Sequence, residues 1–91
     1  MTELTPDEEP FEFPGSFTLK AMGANQDDFP ELVYRLIQEH VPELNAADVS
    51  TRSSREGKYL SVSVTFIAQN REQLDKIYQS LHDEPRVLYV L

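Results

Sequence analysis

The 91-residue chain contains no cysteine and no tryptophan. Without cysteine it has no disulfide, thiolate metal site or cysteine nucleophile, a composition that is ordinary for a cytoplasmic protein. No apolar run approaches the roughly 18 residues that a membrane span needs, and the N-terminal MTELTPDEEP has neither the basic nor the apolar region of a signal peptide. The sequence therefore predicts a cytoplasmic protein with no membrane partner and no cofactor.

Positive charge is also scarce, since 8 Lys and Arg face 16 Asp and Glu for a net charge of −8. Five acids precede the first base: Glu3, Asp7, Glu8, Glu9 and Glu12. Because an acidic segment with few apolar residues buries little surface, residues 1–10 are predicted to be a flexible tail and 11–91 a single domain. Net acidity also makes nucleic acid an unfavoured partner, because phosphates require clustered Lys and Arg.

The first half of the domain has the pattern of a strand followed by a helix. Ser16 to Met22 alternates in polarity as a strand does, and Gly23 is expected to end it. A helix should begin at Asp28, the expected N-cap, and end before Pro42. Its predicted apolar stripe is Phe29, Val33, Leu36, Ile37 and Val41.

The second half repeats this pattern after an additional strand. The predicted strands are a weak one at 48–54, a strong one at 58–68 and a last one at 86–91. Glu56-Gly57 is expected to be a two-residue hairpin turn between the first two. Asn70 and Gln73 resemble a capping box at the start of a helix that Pro85 ends. The predicted apolar face of this helix is Leu74, Ile77, Tyr78 and Leu81.

The order strand, helix, strand, strand, helix, strand predicts a ferredoxin-like α+β fold, in which two helices cover one face of a four-stranded antiparallel sheet. Counting back from the turn places Arg52 opposite Ser61 and Ser50 opposite Ser63, on the face that no helix covers. This open face is expected to carry a polar, mildly basic patch. The residues predicted to bind a partner there are Thr18, Lys20, Arg52, Ser61 and Ser63.

Patterns for catalysis or for reading nucleic acid are weak. His40 and His82 are single residues near helix ends, where solvation or the helix dipole explains them. Asp27 and Asp28 are adjacent carboxylates before a helix, which predicts capping rather than a metal or acid/base pair. Sheets of this topology that bind RNA stack bases on aromatics of their central strands, whereas Ser61 and Ser63 occupy those positions here.

Several short motifs resemble those of one family. They are Phe11-Glu12-Phe13-Pro14, Phe17-Thr18, Lys20, Met22-Gly23, Gly57-Lys58-Tyr59 and Ser61-Val62-Ser63-Val64-Thr65. Over roughly residues 11 to 91 the chain resembles the YbeD-like family of small uncharacterised bacterial proteins. The resemblance implies a ferredoxin-like fold similar to ACT domains and a cytoplasmic bacterial protein with no established reaction.

The likeness to ACT domains also implies an alternative function. ACT domains commonly bind an amino acid at a subunit interface, near a Gly-containing loop after the first strand. The segment from Met22-Gly23 to Phe29-Pro30 resembles that loop, so Gly23 and Asp28 are the candidate ligand-binding residues of a sensing module, and a homodimer is a possible assembly. A glycine that merely permits the chain to leave the strand is the alternative explanation.

Together these patterns predict a non-enzymatic regulatory or adaptor module that acts by contact with another protein. Small-molecule sensing of the ACT kind is the second hypothesis. A third interpretation, in which the open face is polar only because it meets water, also fits the alternation of the strands.

Overall fold

The computed structural model describes residues 12–91. The predicted acidic tail, residues 1–10, lies outside the described residues, so the tail and its boundary remain predictions. The elements are β1 (Gly15–Ala24), α1 (Phe29–Gln38), β2 (Val49–Ser53), β3 (Tyr59–Ala68), α2 (Arg71–His82) and β4 (Tyr89–Val90), with a short 3-10 turn at Ala46–Asp48. No helix in the described part of the chain is long and apolar enough to cross a membrane.

The predicted ferredoxin-like fold is confirmed. The four strands form one antiparallel sheet in the order β2-β3-β1-β4, so β1 and β3 are the central strands. They pair over their whole length, from Gly15 opposite Ala68 to Ala24 opposite Tyr59. Both helices pack against one face of the sheet, which holds the buried residues of β3, while the exposed and half-buried residues that alternate with them lie on the other face.

The core lies between that sheet face and the two helices. Val62 and Val64 of β3 and Phe29, Val33 and Ile37 of α1 are fully buried. From α2, the side chains of Leu74, Ile77 and Leu81 complete the core. Tyr78 was predicted to share their face, but its side chain is 40% exposed. It lies at the groove between α2 and β4 rather than in the core. No polar or charged residue among those described is buried.

The hairpin between β2 and β3 has the predicted register but a longer connection. Arg52 lies opposite Ser61, and Ser50 opposite Ser63, as expected. The strands, however, end at Ser53 and resume at Tyr59, rather than enclosing a two-residue turn. The amide of Gly57 donates to the carbonyl of Ser54 at 2.9 Å, and Gly57 takes a φ of 74°. The register is the predicted one because the pairs Arg52–Ser61 and Ser53–Leu60 are still centred on Glu56-Gly57.

Both helix starts differ in detail from the predicted caps. Asn70 does cap α2, since its side chain accepts a hydrogen bond from the Gln73 amide at 2.8 Å. Gln73 does not close the reciprocal capping box, because its carboxamide oxygen accepts from the Gln69 amide instead. Asp28 occupies the N-cap position of α1 but makes no capping hydrogen bond, so the predicted capping role of its side chain is wrong.

Three element boundaries also differ from the predicted ones by two residues or more. β1 continues through Gly23 to Ala24, because β3 pairs with it to its end. α1 ends at Gln38, although Val41 beyond it is buried as predicted. The last strand is shorter than expected: β4 holds only two residues, and Leu91 extends it by hydrogen bonds in both directions with Lys20.

Candidate functional site, an open sheet face

The open face of the sheet is the surface on the side away from α1 and α2. It presents alternate side chains from all four strands, because paired residues of neighbouring strands project from the same face. One cross-strand row runs from Arg52 through Ser61 and Met22 to Tyr89. The next row holds Ser50, Ser63, Lys20 and Leu91.

The structure brings together all five residues predicted for partner binding. Thr18 and Lys20 of β1, Arg52 of β2, and Ser61 and Ser63 of β3 share this face. We call these five residues the polar patch. Lys20 and Arg52 are exposed, whereas the serines are half-buried between longer neighbours. The third row continues the hydroxyl surface, since Thr18 Oγ1 and Thr65 Oγ1 lie 2.9 Å apart.

The patch differs in charge from the rest of the molecule. No acidic side chain occupies an open-face position of the four described strands, although the chain carries a net charge of −8. A third cation lies at the edge, where the Lys58 ammonium is 5.6 Å from the centroid of the Tyr59 ring. The open face is therefore a locally positive surface on an acidic protein.

An apolar cluster borders the polar patch and was not predicted. It comprises Met22, Tyr59, Tyr89 and Leu91, and we call it the apolar corner. Tyr89 and Leu91 are more than half exposed, at 56% and 59%. Residues 87–91 are all apolar or aromatic, so the sequence predicts a strand there but does not indicate which residues face away from the helices. That depends on the register with β1, which no local pattern specifies.

The other predicted site residues, Gly23 and Asp28, do not line a common cavity. Gly23 is buried within β1, and a Cβ atom placed there would lie 2.5 Å from the Arg86 carbonyl oxygen and 2.6 Å from Cζ of Phe29. The close approach of these groups accounts for the glycine without a ligand. Asp28 lies at the surface, beside a cleft of about 140 Å³. Amino-acid binding at these residues remains a prediction.

The Asp28 carboxylate is held by Arg86, a partner that sequence reasoning missed. Two hydrogen bonds join the guanidinium to the carboxylate, with N···O distances of 2.7 and 3.1 Å. Arg86 also donates to Oε1 of Gln26 at 2.7 Å and lies 5.9 Å from the centroid of Phe29. It thus ties the loop before α1 to the segment before β4. The two partners are 58 positions apart in sequence, which leaves no local signal for the pairing.

The hydrogen bonds from Arg86 hold the pKa of Asp28 below its ordinary value, and the same pair raises the pKa of Arg86. A lowered carboxyl pKa in the folded state contributes stability that is present above the unfolded pKa of about 3.9 and is lost as pH falls through the folded value. We therefore expect Asp28→Asn to lower the melting temperature slightly at pH 7 and to approach the parent protein near pH 2.5. Thermal melts from pH 7 to 2.5 measure this difference.

The neighbouring carboxylate supplies the control for that experiment. Asp27 has no ion pair among the described residues, so Asp27→Asn removes the same charge without removing the contact to Arg86. Its melting temperature should stay close to that of the parent protein throughout. An equal loss in both variants at pH 7 would assign the effect to net charge and contradict a role of the ion pair.

The remaining polar clusters are structural. Nε2 of His40 lies 2.9 Å from Ser80 Oγ, and Nε2 of the Gln73 side chain donates to the His40 carbonyl at 2.7 Å, so these groups join the chain just after α1 to α2. Within residues 12–91, no three His, Asp or Glu side chains are placed to hold a metal ion. A groove of about 580 Å³ also separates α2 from β4, lined in part by Tyr78, Val87 and Leu88.

Comparison with known proteins confirms the predicted family and fold. Residues 8–91 match the family model described as "Protein of unknown function (DUF493)". A UPF0250 protein of Janthinobacterium sp. (strain Marseille) is 41% identical over 91 residues and covers the full length of both chains. Another, NE1487 of Nitrosomonas europaea, is 39% identical over 85 residues, covering 93% of this chain and 98% of that protein.

A solved structure supports the same conclusion for the fold alone. The solution structure of protein HP0495 from H. pylori superposes with a TM-score of 0.69 at 13% identity, covering 100% of this chain and 96% of that chain. Its similarity agrees with the ferredoxin-like arrangement of the strands and helices described above. The resemblance noted to the YbeD-like family and the matched family model together establish the relationship. The chain belongs to the DUF493 (UPF0250, YbeD-like) family of small uncharacterised bacterial proteins.

Proposed function

We propose that the protein is a non-enzymatic regulatory or adaptor module of the bacterial cytoplasm, and that it acts by binding another protein through the open face of its sheet. The observation that carries this proposal is the apolar corner beside the polar patch. Single exposed apolar side chains are ordinary on protein surfaces, but contiguous ones rimmed by polar groups are typical of interaction sites. Tyr59, Tyr89 and Leu91 are 37%, 56% and 59% exposed, on one face that no element within residues 12–91 covers.

The alternative, in which the face only meets water, accounts for the serines and threonines but not for these side chains. An antiparallel sheet with one solvated face alternates apolar inward and polar outward residues. β3 follows that rule at Ser61, Ser63 and Thr65, whereas Tyr59 and Ile67 at its two ends do not. The combination of a flat polar centre with apolar ends agrees better with a contact surface, whose apolar groups supply the binding energy.

A steric block at the centre of the face tests the proposal. Ser63→Tyr places a large ring on the central strand β3, where it would obstruct a bound partner. Recovery of bound proteins from a native lysate should fall by about tenfold or more, which corresponds to a loss of about 1.4 kcal/mol of binding energy. Tyrosine is favoured in strands, so folding should be preserved. The readout is quantitative mass spectrometry of proteins captured by the immobilised variants.

Thr51→Tyr is the matched control, because Thr51 is exposed on the neighbouring strand β2 but projects from the opposite face of the sheet. It should capture the same proteins as the parent chain. Both variants should melt within a few degrees of the parent, as expected for surface substitutions. Undiminished capture by a folded Ser63→Tyr variant would contradict the proposed use of this face.

A further inference from the structure

The charges and apolar groups of the open face specify the chemistry of its partner. We propose that the face binds an acidic segment of another protein that carries one aromatic or aliphatic anchor. The anchor packs on the apolar corner, and carboxylates flanking it pair with Lys20 and Arg52. This inference rests on the proposed function and goes beyond it, because a contact surface for a neutral or basic partner would satisfy the proposed function equally well.

Charge complementarity excludes a second copy of the chain as the favoured occupant. Two open faces brought together would oppose Lys20 and Arg52 to their own equivalents, with no acidic side chain on the described strands to compensate them. Like charges placed opposite each other at an interface cost several kcal/mol. An acidic segment is instead attracted by Lys20 and Arg52 on the open face. The remaining surface of the protein repels it, because the chain carries a net charge of −8. Such a surface also orients the encounter.

The same reasoning separates an acidic protein from a nucleic acid. Nucleic-acid affinity arises from the neutralisation of many phosphates, whereas the described strands place two cations, Lys20 and Arg52, on the open face, with Lys58 at its edge. Bases bound on such a sheet require aromatics in the middle of the central strands. Here the tyrosines lie at one end of the face, and the middle is occupied by Ser61 and Ser63.

The register of the sheet sets the spacing of the partner's carboxylates. Lys20 and Arg52 are two strands apart and two residues apart along the strands. Their Cα atoms are therefore separated by roughly 12 Å, given about 4.8 Å between strands and about 3.4 Å per residue. That span equals about two turns of a helix or about four residues of an extended chain. Met22 is two residues from Lys20 on β1, and it shares a cross-strand row with Arg52. A partner side chain that lies between the two carboxylates can therefore contact the apolar corner at Met22.

Small side chains make the middle of the face accessible to the backbone of such a segment. Ser61 and Ser63 are half-buried although none of the described elements covers them, because the longer side chains around them form the rim. Their hydroxyl groups accept and donate hydrogen bonds. The centre of the face is thus shallow and polar, between two cations and one apolar corner.

Selection from a phage-displayed library of random 12-residue peptides on the immobilised full chain tests the inference. The enriched peptides should be acidic and contain an aromatic or large aliphatic residue. Fluorescence anisotropy with a labelled, selected peptide then gives its Kd. We expect Lys20→Glu with Arg52→Glu to weaken the Kd by about tenfold or more, and added salt to weaken binding to the parent chain, because screening reduces attraction between exposed charges.

A matched double variant controls for net charge. Arg35→Glu with Lys76→Glu changes the charge of the chain equally, but these side chains lie on α1 and α2, paired with Glu31 and Glu72, away from the open face. The Kd of this variant should lie within about twofold of the parent value once salt screens the long-range repulsion that the added negative charge causes. Met22→Ser tests the anchor and should also weaken the Kd by several-fold, since apolar contact area is lost.

The outcomes separate this inference from the proposed function. Two outcomes would overturn the inference and leave the proposed function standing. In the first, the selected peptides are neutral or basic. In the second, Lys20→Glu with Arg52→Glu leaves peptide binding unchanged, whereas Ser63→Tyr abolishes it. Peptide binding that ignores Ser63→Tyr as well would overturn both. Tighter binding of labelled oligouridylate than of any selected peptide would assign the face to nucleic acid.

Two other occupants are tested by the same set of proteins. Self-association in sedimentation velocity that Ser63→Tyr abolishes would place a second copy on the face and overturn the inference. The Kd of the selected peptides should also be compared between the full chain and a chain that lacks residues 1–11. Binding about tenfold tighter to the shortened chain would overturn the inference, because it would show that acids of the chain itself compete for the face.

Discussion

Replacement of Gly23 by alanine is expected to destabilise the protein more than an added methyl group usually does. The new Cβ atom would lie 2.5 Å from the Arg86 carbonyl oxygen and within 2.7 Å of two atoms of the Phe29 ring. The carbonyl belongs to the backbone, so relief requires movement of the segment before β4 or of the start of α1. Overpacking of this kind costs about 1–3 kcal/mol, from a total of roughly 5–14 kcal/mol for a domain of this size.

Thermal and urea unfolding measure this effect, with Gly57 as the matched control. A loss of about 1–3 kcal/mol should lower the melting temperature by roughly 5–20 °C in a domain of this length. At Gly57 an added Cβ meets nothing within 4 Å, but φ is 74°, so the cost there is conformational. Gly57→Asn should therefore be tolerated better than Gly57→Ala, since asparagine enters this region more readily. A Gly23→Ala variant as stable as the parent would contradict the close packing at this position.

The central part of the fold was predictable because its signals are local. The strict alternation of β3 identifies its two faces, and a turn at Glu56-Gly57 fixes the pairing of Arg52 with Ser61 by counting alone. A hairpin register depends on residues that are close in sequence, so pattern and turn chemistry are sufficient. For this reason the hairpin members of the polar patch, Arg52, Ser61 and Ser63, could be placed on the open face from the sequence.

The parts that were not predictable depend on contacts between distant segments. Gly23 was expected to end β1, because glycine commonly interrupts strands, but its lack of a side chain is needed to admit Phe29 and the Arg86 carbonyl. Asp28 was expected to cap a helix, whereas a guanidinium 58 positions away holds its carboxylate. The apolar corner requires the register of β4 on β1 as well. Local propensity carries no information about such long-range contacts.

The largest loss of stability is expected for Phe29→Ala. Phe29 is the first residue of α1, is fully buried, and packs against both Gly23 and Arg86. Truncation of a buried phenylalanine costs about 3–5 kcal/mol, from lost apolar transfer energy and the cavity that remains. Urea unfolding should show a clearly lower midpoint with an unchanged slope. The control is Phe13→Ala, whose half-buried ring stacks on Phe17 at 5.5 Å and should cost about half as much or less.

A double-mutant cycle then tests whether Gly23 is required by the Phe29 ring. Phe29→Leu removes Cε1 and Cζ, which are two of the three atoms nearest to the Cβ position of Gly23, and retains enough bulk to keep the protein folded. In that background Gly23→Ala should cost less than in the parent protein, with a coupling energy of about 1 kcal/mol. The Arg86 carbonyl oxygen is unaffected by the leucine, so part of the cost should persist. Strict additivity of the two substitutions would show that the ring does not impose the glycine, and would leave the backbone approach of Arg86 as the cause.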